Sequence, residues 1–111
     1  MPLFNLAEKR AGMKPINDEM RFAPVVSGGN FESGVISFAP RSSQEQKLIT
    51  HEDKEVVAQV IDGRGSVQIG DEHHDLGPGA VCHIPVNVPH DFYAAAGAPL
   101  VLFYLLIKSA G

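Results

Sequence analysis

Apolar residues in this chain fall in short runs, and Gly and Pro punctuate the gaps between them. Residues 31–38 carry Val35, Ile36 and Phe38 before the run stops at Pro40-Arg41-Ser42-Ser43. Lys47 to His51 is a second short run, and Glu55 to Ile61 is a third, rich in β-branched residues and closed by the turn pair Asp62-Gly63. Ser66-Val67-Gln68-Ile69 alternates polar with apolar and turns at Gly70-Asp71. Val81 to Ile84 follows Gly77-Pro78-Gly79, and Asp91–Ala94 and Leu100–Ile107 complete the set. Strand-length runs at this spacing, with turn residues between them, predict an all-β sandwich or barrel. A helix of a turn or two is expected only within Leu3–Met13, and no internal repeat is present.

Two of the runs also say which side faces what. Along the third, Val56, Ala58 and Val60 form a uniformly apolar face, and Glu55, Val57, Gln59 and Ile61 a mixed one. Side chains alternate across a strand, so the first face is expected to be the interior. Leu100–Ile107 is apolar on both faces, so both should be covered. Either the N-terminal segment or a second subunit does this, and a homodimer is the expected assembly.

The length of 111 residues allows one domain. Residues 1–30 are read as a strand-and-turn extension of the domain whose barrel spans 31–111. The hydrophobic share of 44% and charged share of 20% are ordinary for a globular domain and exclude disorder over most of the chain. A net charge of −4 is the wrong sign for gathering phosphate backbones, so nucleic acid is excluded as a partner. Cys82 is the single cysteine, so no intramolecular disulfide forms. The N-terminus has no apolar core after a basic start, and the longest apolar run, Leu100 to Ile107, is too short to span a bilayer as a helix. No membrane partner and a cytoplasmic location are expected.

The most specific feature is Gly79-Ala80-Val81-Cys82-His83-Ile84-Pro85-Val86-Asn87-Val88-Pro89-His90. It resembles the second cupin motif, G-x5-P-x-G-x2-H-x3-N, with Gly79, Pro85 and His90 in position. Asn87 stands at the second Gly, where the turn needs a left-handed backbone that Asn tolerates better than other side chains. Ala94 replaces the final Asn. The first motif, G-x5-H-x-H-x3,4-E-x6-G, is partial. Ser43 stands at its Gly, Ile49 at its first His and His51 at its second. Counting three residues on from His51 gives Glu55 as the acid. Counting four gives Val56 and brings Gly63 into register. The resemblance covers roughly residues 31–107 and implies an all-β jelly-roll barrel (the double-stranded β-helix of the cupins, of the small RmlC-like type).

In that family the motif residues point into the barrel and hold a divalent metal, and His51 and His90 match ligand positions. Imidazole and carboxylate donors suit zinc, iron, nickel or manganese. Ile49 cannot coordinate, so a third ligand decides the matter. Glu55 serves if the loop 52–54 is one residue tighter than usual, although strand alternation argues against it. His83 is the other candidate, either as an improvised ligand or as a catalytic acid/base; its plainer role is a half-buried histidine with a backbone partner. Phe92 shares a face with His90 and is expected to line the cavity, and Gln46 and Gln59 are candidate polar contacts. His73 and His74 belong to a solvated hairpin, and Cys82 is a small buried hydrophobe facing away from His83. The expected function is a His-containing cavity that binds a divalent metal and a small-molecule ligand, and three function classes bear on it. They are a metal-dependent enzyme of the oxygenase, isomerase or decarboxylase kind, a metal-free barrel holding a small, anionic or sugar-like ligand, and a sensory or accessory dimer without catalysis.

Overall fold

The computed structural model describes residues 3–41 and 48–109. Among the described residues one short helix, α1 (Leu6–Ala11), precedes nine strands: β1 (Lys14–Pro15), β2 (Met20–Ser27), β3 (Phe31–Phe38), β4 (Lys54–Asp62), β5 (Gly65–Ile69), β6 (Glu72–Leu76), β7 (Val81–Ile84), β8 (His90–Ala94) and β9 (Leu100–Lys108). They form an antiparallel six-stranded sheet, β1-β2-β3-β9-β4-β7, and a three-stranded sheet, β6-β5-β8. The two sheets face each other as an all-β jelly roll, as the run of short strands predicts.

Strand β9 is the spine of the larger sheet. It pairs along its length with β3 (Phe31↔Ile107 to Phe38↔Leu100) and with β4 (Lys54↔Lys108 to Val60↔Leu102). This central position explains why its sequence is apolar on both faces. Leu100, Leu102, Tyr104 and Leu106 turn inward, while Val101, Phe103, Leu105 and Ile107 face out. The sequence anticipates a cover for the outer face of this sheet, and α1 of the same chain packs on its neighbouring strands. The helix packs against β2 and β3 and is tied to the end of β4 by Arg10 Nη2 donating to Asp62 Oδ2 at 2.7 Å. Asn5 caps it, accepting from Glu8 N at 3.1 Å.

Alternation on β4 places Val56, Ala58 and Val60 inside, as expected. They join Val67 of β5, Leu76 of β6, Ile84 of β7 and Leu100 in the core. Val60, Val67, Leu76, Ile84 and Leu100, none of which lines the cavity, plug one end of the barrel. The other end, between β8 and the β3-β9-β4 part of the large sheet, stays hollow. Two backbone devices hold the connections. Gly63 sits at φ +83°, where a Cβ would lie 2.1 Å from the Pro99 carbonyl oxygen. Asn87 sits at φ 64°, the left-handed conformation that its place in the motif implies.

The Lys47–His51 run is less regular than its sequence suggests. Lys47 lies outside the described residues, and Ile49 makes an isolated bridge to His90 in place of a strand. That bridge matters more for the site than a full strand would.

Candidate functional site

The hollow end is a cavity of about 390 Å³. Its walls are apolar: Ile36 and Phe38 from β3, Val56 and Ala58 from β4, Leu102 and Leu106 from β9, and Phe92 from β8. Polar side chains converge on it from four places. His51 comes from the segment before β4, His90 and Asp91 from β8, Tyr104 from β9, and Glu19 and Arg41 from the loops flanking β2 and β3.

The backbone brings His51 and His90 together. Ile49 and His90 exchange both main-chain bonds, at 2.8 and 2.9 Å, and Asn87 N donates to the His51 carbonyl at 2.8 Å. The left-handed turn at Asn87 therefore clamps the segment that carries His51. The two imidazoles lie with ring centroids 5.3 Å apart and planes tilted by 32°. His90 is buried, and its Nδ1 stands 3.0 Å from the Val88 carbonyl. A carbonyl only accepts, so Nδ1 carries the hydrogen, and Nε2 is the ring nitrogen left for another partner. Burial pushes the His51 pKa below 6.5, and the neighbouring His90 and Lys54 push it the same way. His51 is thus held neutral around pH 7.

Tyr104 adds a hydroxyl that stays protonated. Burial, with a smaller contribution from Glu32, pushes its pKa up to about 12. Its partner across the ladder is Gly34, where a Cβ would lie 2.8 Å from the phenol oxygen. Glycine at this strand position makes room for the ring.

At the opposite polar corner Arg41 grips Asp91. Nη1 donates to Oδ2 at 2.9 Å, and Nη2 donates to Oδ1 and, at 3.2 Å, to the Phe92 carbonyl. Arg41 Nε lies 3.7 Å from Glu19 Oε2, and the guanidinium carbon is 5.7 Å from the Tyr93 ring centre. Asp91 is 5% exposed, so this is a bidentate pair at the edge of the core. Neither Arg41 nor Asp91 stands out in the sequence, because the two motifs do not include them. The signal available was the charged residue beside His90 on an otherwise apolar strand.

The predicted site residues separate into two groups. His51, His90 and Phe92 line the cavity. Glu55, His83 and Gln59 do not. Inward Val56, Cys82 and Ile84 leave Glu55 and His83 on the outer face of the large sheet, where His83 Nε2 and Glu55 Oε1 meet at 2.8 Å. His83 and Gln59 are exposed and Glu55 is half-buried. The loop 52–54 is not tight enough to turn Glu55 inward, so strand alternation wins. Gln46 lies outside the described residues. Cys82 faces inward, and burial raises its thiol pKa. His73 and His74 sit exposed on β6.

These placements test the metal that the motif resemblance implies. His51 and His90 are a donor pair, but among the described residues no group of three His, Cys, Asp or Glu side chains converges to hold an ion. Ile49 fills the place of a further imidazole with carbon. Two neutral donors do not make a closed metal centre. The described residues do not fit the expected set.

Comparison with known proteins agrees with the architecture. The family described as "Cupin domain" matches residues 34–107. No curated protein matches the chain. Among solved structures, TT1209 of Thermus thermophilus superposes with a TM-score of 0.79 at 23% identity, covering 98% of this chain and 99% of that one. A Thermotoga maritima protein described as a predicted oxalate decarboxylase gives 0.82 at 15% identity over 96% and 99%. KdgF from a Halomonas species gives 0.79 at 17% over 99% and 96%. At these identities the likeness is one of fold. No helix among the described residues is long and apolar enough to cross a membrane.

Proposed function

The chain belongs to the cupin family, and on that premise we propose that it is a small-molecule-binding barrel in which His51 and His90 meet the polar end of the ligand. The observation that carries this reading is the imidazole pair, 5.3 Å apart, at one end of an otherwise apolar cavity of about 390 Å³. A concave, mainly apolar site with a few convergent polar groups is the usual form of a small-ligand site. With Nδ1 of His90 turned to the Val88 carbonyl, its Nε2 is the ring nitrogen aimed at a ligand, and His51 adds a second imidazole, so the pair can exchange a hydrogen bond or a proton with a ligand hydroxyl or acidic C–H. Tyr104 supplies a donor for a carbonyl oxygen. A reaction at this site would be proton transfer between ligand and imidazole. A divalent ion held by His51 and His90 alone, with water or ligand oxygens completing its shell, is the second reading, supported by the His90 Nδ1 bond that orients Nε2.

The deciding experiment is elemental analysis of protein purified without a metal-affinity step, paired with ligand screening by thermal shift. The ligand-binding reading expects substoichiometric metal and hits that disappear in His90→Ala. Stoichiometric metal lost on His51→Ala and His90→Ala would replace it with the second reading. A cytoplasmic homodimer belongs to the same proposal. Its support is the outer face of the large sheet, where Phe103 and Leu105 of β9 lie beside Val57 of β4 and a 63% exposed Val81 of β7. Sedimentation of Leu105→Glu checks it, with a shift to monomer as the expected result.

A further inference from the structure

We propose that the ligand is an elongated monoanion, its apolar body in the barrel and its carboxylate held at the barrel rim by Lys54 and Lys108. This rests on the cavity reading above and deepens it with a second subsite and a ligand class.

The large sheet carries the cavity wall out to this subsite. Leu102, Tyr104 and Leu106 of β9 line the cavity, as do Ala58 and Val56 of β4. Side chains two residues apart share a face, so the next inward positions, about 7 Å further along each strand, are Lys108 and Lys54. On β3, Phe38 and Ile36 line the cavity, Gly34 faces Tyr104, and Glu32 comes next in the row. Lys54, Lys108, Glu32 and Leu106 border a rim pocket of about 280 Å³, with residues 27–31 on its other side. Leu106 also lines the cavity, so the two spaces share a wall. The turn that completes the pocket is tied down by main-chain bonds. Gly28 N donates to the Phe31 carbonyl at 2.9 Å, and Lys108 N to the Asn30 carbonyl at 2.7 Å.

The charges of the rim pocket call for one anion. Lys54 and Lys108 stand directly opposite each other in the β4–β9 register, where like charges repel. Glu32 Oε1 accepts from Lys54 Nζ at 3.2 Å and relieves part of that repulsion. An ammonium carries three hydrogens, so Lys54 keeps two for a ligand. The Lys108 ammonium has no carboxylate partner among the described residues. Two ammoniums against one carboxylate leave a single positive charge, which a ligand carboxylate neutralises and a phosphate dianion exceeds. The Lys54 side chain is only 33% exposed, so its charge is less screened than that of a free surface lysine. The imidazoles then meet a hydroxyl or carbonyl at the other end of the same molecule.

Calorimetric titration of the intact protein with ω-hydroxydecanoate, decanediol and aminodecanol tests this, because the probes share a chain and a hydroxyl and differ in the charge of the far end. The hydroxydecanoate is expected to bind at least about fivefold more tightly than the diol, and the aminodecanol more weakly than either. The corresponding ω-hydroxydecyl phosphate is expected to bind no more tightly than the hydroxydecanoate; tighter binding would overturn the choice of a carboxylate. In the double variant Lys54→Met with Lys108→Met, the ratio of hydroxydecanoate to diol affinity should fall to about one, whereas arginine at both positions should keep the preference. His90→Ala should weaken hydroxydecanoate and diol alike. A diol that binds, is lost in His90→Ala and is matched or beaten by no carboxylate preference would overturn the rim subsite and leave the cavity reading in place. A ratio that survives the methionine variant would do the same. No saturable binding of any probe would take down both.

Discussion

Arg41→Ala should be the most damaging single change at the cavity. The variant removes the cation and leaves Asp91, 5% exposed, as an anion in the wall of the barrel. Breaking a buried pair from one side costs about 3–5 kcal/mol. Arg41 itself is 15% exposed, so water reaches the edge of the site and the lower end applies, ~3 kcal/mol. For a domain of this size that corresponds to a fall in Tm of roughly 12 °C. Asp91→Asn should be milder. It keeps the shape of the side chain and leaves Arg41 with Glu19 and the Phe92 carbonyl, so the cost is one charge-assisted bond, ~1–2 kcal/mol. Combining the two changes removes the buried anion along with its cation. The double variant should therefore regain about 2 kcal/mol against the sum of the singles. Urea unfolding of the wild type and three variants, analysed by linear extrapolation, gives the cycle. A cost below about 1 kcal/mol for Arg41→Ala, or strict additivity, would refute the view that the pair neutralises the cavity wall.

Three further outcomes follow from the geometry. The folded protein holds the His51 pKa below 6.5, so the neutral form is favoured on folding. Its contribution to stability is fully present above about pH 6.5 and is lost as pH falls through the window beneath it; His51→Gln should flatten that part of the stability–pH curve. Asn87 at φ 64° admits Gly at little cost, but Asn87→Val forces a β-branched residue into the left-handed region. It should lose roughly 1–2 kcal/mol in chemical unfolding and, by loosening the clamp on His51, weaken ligand binding, whereas Asn87→Gly should do neither. His83→Ala and Glu55→Ala break an exposed pair on the outer face. Each should change stability by less than about 1 kcal/mol and leave probe binding untouched; a loss of binding would place the working site elsewhere.

Local pattern along the chain was enough for the barrel and for one half of the site. Gly and Pro between short apolar runs dictate strands and turns, because turn geometry and side-chain alternation are local properties. The spacing of Gly79, Pro85, Asn87 and His90 is local too, so the turn and the inward His90 were legible, as was the interior face Val56-Ala58-Val60. The motif resemblance points to His51 as well, and the structure lines the cavity with it. The rest had to wait for the closed sheets. Whether Glu55 joined His51 depended on the register of β4 against β7 and β9, and that register turns Glu55 outward to His83. A shift of one residue would have reversed every side chain on the strand. Arg41 and Asp91 are 50 residues apart, and Tyr104 finds its space opposite Gly34, 70 residues earlier by number. Such long-range pairings follow from sheet closure and leave no mark in a local pattern. The described part of the cavity therefore holds two imidazoles, a phenol and a neutralised arginine, a set that no single stretch of the chain spells out.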